Sequence, residues 1–248
     1  AVGEPVRLVV NGRLLYGAPA SGLSLEGEVS LSTTTEWDVY PGYRFGLADE
    51  QDDLSGNVTE LTGLPLTDED GRAEFPVSID AIPSTTRFVN AEVRVRMREG
   101  AGRAVERTVD IGIVPDTDSI GIRPEFSGDE VPEGSTARFR VIAVGADGER
   151  KDLSGLSWKL ERIERRYQWY RSNNSWNYEP VTTTTKVDAG TIAAREDEEV
   201  LISSPVTWGR YRLEVTGASA DAPVSSVEFS AGWFVEASST ETPDGLEI

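Results

Sequence analysis

The 248-residue sequence contains no cysteine and no histidine. Those two absences exclude disulfides, thiol nucleophiles, serine–histidine triads and the usual zinc sites. Without thiols, the chain also bears no mark of its redox compartment. Positive charge is scarce: 24 Lys and Arg stand against 43 Asp and Glu, for a net charge of -19. That balance opposes nucleic acid and anionic membranes as partners, since both need clustered Lys and Arg. No apolar run approaches the roughly 20 residues of a membrane helix, so direct membrane insertion by this segment is not expected. No Gly-rich phosphate loop is present, and no cofactor is expected. Helix-period patterns are sparse. The composition is rich in Val, Thr, Gly and Ser, and the length suits two domains of about 120 residues, each with its own core.

The main positive signal is period-2 alternation. In Arg72–Asp80, Ala73, Phe75, Val77 and Ile79 share one face, and Pro76 on the other predicts an edge strand because it has no N–H to donate. In Ala91–Arg98, Ala91, Val93, Val95 and Met97 alternate with Glu92, Arg94, Arg96 and Arg98. A partner strand with Val105, Val109, Ile111 and Ile113 on one parity follows a Gly-containing turn. An even register keeps both apolar faces together, and pairing Arg98 with Ala104 achieves it. That register sets Met97 beside Val105, Val93 beside Val109, and Arg96 across from Glu106 in an exposed ion pair that helps to fix the pairing.

The stretch Val114–Ser119 is polar with a Pro break and reads as a domain junction. Alternation resumes with Ala137, Phe139, Val141 and Ala143, then Tyr211, Leu213 and Val215, then Val227, Phe229, Ala231 and Trp233. Turn signals at Asp70-Gly71, Asp147-Gly148 and Trp208-Gly209 separate the strands. The fold class is therefore all-β, with two tandem antiparallel β-sandwich domains of immunoglobulin-like type. Gly209-Arg-Tyr211-Arg-Leu213-Glu-Val215 resembles a tyrosine-corner strand, with Leu213 where antibody domains carry Cys.

Several segments resemble, in order, the macroglobulin modules of bacterial alpha-2-macroglobulin-like proteins. They are Leu14-Leu-Tyr16-Gly-Ala-Pro19-Ala-Ser-Gly22, Leu25-Glu-Gly27, Tyr40-Pro-Gly-Tyr43-Arg-Phe45-Gly, Tyr167-Gln-Trp169-Tyr170 with Trp176, Trp208–Val215, Ala231-Gly-Trp233 and Thr242–Glu247. The resemblance spans nearly the whole chain. It implies tandem macroglobulin sandwiches inside a large periplasmic or cell-surface protein that traps proteases when an exposed bait segment is cut. It also implies that the bait-bearing module begins beyond Ile248. Many members carry a Cys–Gln thioester, and this chain, lacking Cys, carries none.

Arg171-Ser-Asn-Asn-Ser-Trp176 reads as a hairpin turn, since Asn tolerates positive φ. Pairing Arg171 with Trp176 sets Trp169 opposite Tyr178 and Tyr167 opposite Pro180. Tyr167, Trp169, Trp176 and Tyr178 then share one face, with Arg171 placed for a cation–π contact. This constellation is the candidate surface for domain packing or partner binding. The alternatives for it are a cover for a sandwich or a neighbouring domain, a platform for glycan or protein, and a loop open to trypsin-like cleavage at Arg162, Arg165, Arg166, Arg171 and Lys186. The acidic clusters Asp49–Asp53, Asp68–Asp70 and Glu196–Glu199 read as solvated turns. An EF-hand set on Gly71 fails, because Leu66 and Val77 occupy ligand positions.

Further expectations follow. The polar, strand-like end Glu236–Ile248 suggests that the chain is a piece of something longer. The division is then 1–115 and 116–235 as sandwiches, with 236–248 as a linker or the first strand of a following domain. Its partners are neighbouring domains of the parent chain and, through the parent, a target protease. The expected role is a non-catalytic scaffold in a protease trap. The alternative is an adhesin-like glycan- or protein-binding module that uses the 167–178 hairpin.

Overall fold

The computed structural model describes residues 5–232 except 52, 53, 55, 80, 81, 83, 99–103, 114, 173, 174, 220 and 221, and along 165–180 it describes the backbone alone. The expected linker at 236–248 lies outside the described residues. Every regular element described is a strand, and no helix is long and apolar enough to cross a membrane.

The first half contributes β1 (Val6–Asn11), β2 (Ser24–Thr34), β3 (Arg44–Phe45), β4 (Val58–Leu61), β5 (Arg72–Val77), β6 (Phe88–Arg98) and β7 (Ala104–Ile113). The pair β1-β5 faces the sheet β4-β2-β6-β7. Between them Leu25, Val29, Ala73, Phe75, Val77, Ala91 and Val93 form a core. β5 pairs only with β1, with Pro76 opposite Arg7, the edge position that a residue without an N–H allows. The β6–β7 register matches the parity argument: Arg98 pairs with Ala104, Met97 with Val105, Val93 with Val109 and Arg96 with Glu106. Arg96 Nε lies 2.6 Å from Glu106, and the outer face continues as a charge ladder, with Arg94 2.9 Å from Glu28 and Arg98 2.9 Å from Glu26. Val105 and Val109 share the apolar face, yet stay 48% and 42% exposed. The reason is geometric: β7 is the outer strand of a four-stranded sheet, and the facing sheet has only two strands.

The second half contributes β8 (Ser119–Pro124), β9 (Glu130–Val131), β10 (Thr136–Val144), β11 (Leu153–Ser172), β12 (Ser175–Ala194), β13 (Val200–Pro205), β14 (Gly209–Thr216) and β15 (Val224–Ala231). Sheet β12-β11-β14-β15-β9 packs on sheet β13-β10-β8-β3. The alternating residues of β10, β14 and β15 meet in one core that includes Phe139, Val141, Tyr211, Leu213, Val215, Val227 and Phe229. The tyrosine corner is present. The Tyr211 hydroxyl donates to the Thr207 carbonyl at 2.9 Å and accepts from the Thr207 N–H at 3.2 Å, while its ring stacks on Phe229.

One strand belongs to the wrong half. β3 arises between β2 and β4 of the first sandwich, yet it pairs with β8 of the second, Arg44 opposite Ile122 and Phe45 opposite Gly121. The halves are therefore not joined by the polar link before β8 alone.

Candidate functional site

Two features stand out from the sandwich cores: a strap that ties the halves together and a ribbon that runs out from the second half. The strap is residues 36–50. It leaves the end of β2, folds back through Tyr40-Pro-Gly-Tyr43, and closes with Phe45 N–H donating to Thr35 at 2.8 Å. Phe45 is 1% exposed. Its ring sits 4.9 Å from Phe88, with Trp37 and Tyr40 at 6.0 and 6.5 Å, and the cluster includes Ile142 and Val144 of β10. Gly121 makes this approach possible, since a Cβ there would stand 2.9 Å from two Phe45 ring carbons.

Beyond Phe45 the strap's backbone is satisfied by the second sandwich. Gly46 N–H donates to Ser225 Oγ at 2.8 Å, Ser226 N–H donates to Gly46 at 3.0 Å, and Ala48 N–H donates to Ser226 Oγ at 2.8 Å. Both serines are 1% exposed, so the strap covers hydroxyls that would be costly to bury unpaired. Gly46 has φ +76°, and a Cβ there would come within 2.6 Å of the Thr86 carbonyl, which leaves glycine as the fitting residue. On the first-sandwich side, Arg87 donates to the Leu47 and Ala48 carbonyls, each at 2.8 Å.

Charged residues finish the fastening. Arg212 of β14 is 2.6 Å from Asp49, and Glu50 accepts from Thr86 N–H at 3.0 Å. The Tyr43 hydroxyl donates to Glu199 at 2.7 Å, and the same carboxylate takes Arg123 and Arg140, each at 3.0 Å. Burial and the Glu199 carboxylate push the Tyr43 hydroxyl far up, so it stays a donor. Burial alone would raise the Glu199 carboxyl. The hydrogen bonds from Tyr43 and Arg140 and the two guanidinium charges outweigh it and hold Glu199 below its ordinary value. The acidic stretches around Asp49 and Glu199, read from sequence as solvated turns, thus supply ion pairs and hydrogen bonds across the junction. Asp68 is different: it caps its own turn, accepting from Asp70 and Arg72 N–H at 3.0 and 2.8 Å.

The ribbon is the outer part of β11 and β12. β14 pairs with β11 only from Ser157 to Ile163. Beyond Ile163, β11 and β12 pair with each other to Ser172 opposite Ser175. Those nine residues per strand extend about 30 Å at ~3.3 Å per residue. A register shift between Leu160 and Glu161 leaves Val187 as a bulge at the ribbon's root. The backbone register sets Arg171 opposite Trp176, Trp169 opposite Tyr178 and Tyr167 opposite Pro180, as the turn chemistry predicts. The side chains of these five candidate residues lie outside those described. The sequence placed this ribbon but missed the strap, whose one signal was an aromatic run, Tyr40–Phe45, broken by Gly42, followed by Gly46 and lacking strand alternation.

A pair of antiparallel sandwiches, the second closed by a tyrosine corner and by a strand lent from the first, defines a macroglobulin-type tandem. Comparison with known families gives the particular assignment. Residues 1–115 match the bacterial alpha-2-macroglobulin MG5 domain and residues 121–233 match bacterial macroglobulin domain 6. The chain belongs to the bacterial alpha-2-macroglobulin family. It is 32% identical to the alpha-2-macroglobulin of Escherichia coli over 93% of its own length and 14% of that protein's. Among solved structures it matches the native conformation of Escherichia coli alpha-2-macroglobulin with a TM-score of 0.71 at 30% identity, covering 94% of this chain and 15% of that one. It matches the same protein activated by porcine elastase with a TM-score of 0.70 at 33% identity, covering 93% and 20%. The chain thus spans about one seventh of the curated relative.

Proposed function

We propose that this chain is a rigid, non-catalytic scaffold segment of a bacterial protease trap. It comprises sandwiches 1–115 and 116–235 and lies upstream of the module that carries the bait, in a parent at the periplasm or cell surface. Its work is geometric: it holds neighbouring modules at a fixed separation while they rearrange around a protease. One observation carries this reading: moving one sandwich against the other would expose Phe45 and strip partners from Ser226 and Glu199. The ribbon belongs to the same reading as a contact with neighbouring modules, since a lone two-stranded ribbon is marginal in water.

The test exploits the absence of cysteine in this segment. Spin labels at Glu60→Cys and Leu201→Cys, both on exposed strand positions of different sandwiches, report the distance between the halves in the full-length protein. The distance distribution is expected to stay the same before and after cleavage by a trapped protease. A shift on cleavage overturns the rigid-scaffold reading.

A further inference from the structure

The first sandwich has two poles. β2 and β6 run its length, with Thr34 opposite Phe88 at the strap end and Ser24 opposite Arg98 at the far end. At the far pole a short turn is built with care. Arg13 bridges Pro19, Leu14 N–H donates to Ala18 at 2.9 Å, and Gly17 N–H donates to Leu14 at 2.8 Å. The turn is fixed to the sandwich by Gly12 N–H to Gly71 and Ala20 N–H to Gly12, with Ala20 1% exposed at its base. Yet its tip presents Leu15 at 110% exposure and Tyr16 at 80%. Leu66, 61% exposed, stands next to Thr67, which bonds Gly22 and Leu23 beside the turn.

Turn chemistry does not call for these residues. The central positions of such a turn suit Gly, Asn, Asp or Ser, and an apolar pair there gains nothing from the turn itself. Nor does this chain's core use them. Apolar side chains scattered singly on a surface are ordinary, but two consecutive ones share this hydrogen-bonded tip.

We propose that the Leu15–Tyr16 turn is a docking knob that seats in an apolar socket on another module of the same polypeptide. The inference rests on the reading of this chain as one segment of a larger macroglobulin. Three observations choose that occupant. About six sevenths of the curated relative's length lies outside this segment, so further modules exist to supply the socket. The opposite pole of the same sandwich shows the mode of contact: a loop tip carrying Trp37, Tyr40 and Phe45 packs on the next sandwich at Ile142 and Val144. The net charge of -19 repels both a second copy of this chain and an anionic lipid surface.

A photo-reactive phenylalanine analogue introduced in place of Tyr16 in the full-length protein, irradiated in the producing cell, reports what the tip touches. The expected product is an internal cross-link from position 16 to a residue of the same polypeptide outside this segment. A cross-link to a second copy or to another protein overturns the proposed occupant, and a tip that reacts with water alone overturns docking itself. A paired variant guards against misreading. Leu15→Ser with Tyr16→Ser is expected to leave the melting temperature of this 248-residue chain unchanged while lowering that of the full-length protein. Equal melting of variant and parent in the full-length protein also overturns the proposal. A full-length protein that traps no protease, yet gives the internal cross-link, removes the proposed function and leaves the docking intact.

Discussion

Phe45→Ala is the sharpest perturbation available, because Phe45 is buried in neither sandwich core but between the two. Its ring is 1% exposed and contacts Phe88 of the first half and the Gly121 and Ile142 region of the second. Truncating a buried Phe costs about 3–5 kcal/mol in transfer and cavity terms. Spread over an unfolding entropy of ~2.1 cal/mol/K per residue, that loss lowers the melting temperature by roughly 6–10 °C for a chain of this length. The location of the loss matters more than its size. If the strap couples the halves, the parent unfolds in one calorimetric transition and the variant in two, since each sandwich keeps its own core. Differential scanning calorimetry, with calorimetric and van't Hoff enthalpies compared, distinguishes the cases. The reasoning is refuted by a parent that already melts in two transitions, neither displaced by Phe45→Ala.

Gly121→Ala attacks the same contact from the other side. Its Cβ would stand 2.9 Å from the Phe45 ring and 3.0 Å from Ile142, an overpacking cost of about 1–3 kcal/mol readable in urea unfolding. Tyr211→Phe removes all three hydroxyl hydrogen bonds to Thr207 at the tyrosine corner while keeping the ring, and should cost about 1–2 kcal/mol without altering the urea m-value. The Glu199 carboxyl lies below its ordinary value in the folded state, so the unfolded chain binds the proton more readily. Its stabilisation is complete above a free glutamate's pKa of about 4.3 and drains away as pH falls through the folded value. The stability gap between the parent and Glu199→Gln should therefore narrow on acidification from pH 6 to pH 3, and a gap independent of pH contradicts the assignment.

Local register was legible in the sequence because alternation has no tolerance for a one-residue slip. Once Val93 and Met97 must share a face with Val105 and Val109, few pairings survive, and the observed Arg98–Ala104 pairing is among them. The Arg171–Trp176 pairing followed in the same way from its Asn-containing turn. What alternation cannot carry is the choice of sheet. β3 has two residues, too few to show any period, and its partner β8 is remote in sequence. The carboxylates of Asp49 and Glu199 were hidden for a related reason. In the sequence each sits in an acidic run that looks solvated, and only the folded chain brings Arg212, Arg123 and Arg140 to them. The exposure of Val105 was equally out of reach, because it depends on the two-stranded width of the opposite sheet.

The lent strand also sets a clock on synthesis. Ser225, which receives the Gly46 N–H, follows it by 179 residues. At roughly 5–20 residues per second the ribosome needs about 9–36 s to deliver it. Throughout that interval the first sandwich can close around its own core, but the Trp37–Phe45 tip has no second sandwich to land on. A nascent chain therefore carries a sticky aromatic loop for many times longer than a sandwich takes to collapse. The trailing half only seats the strap of the leading one, and β15, the last strand described, brings the serines that close it.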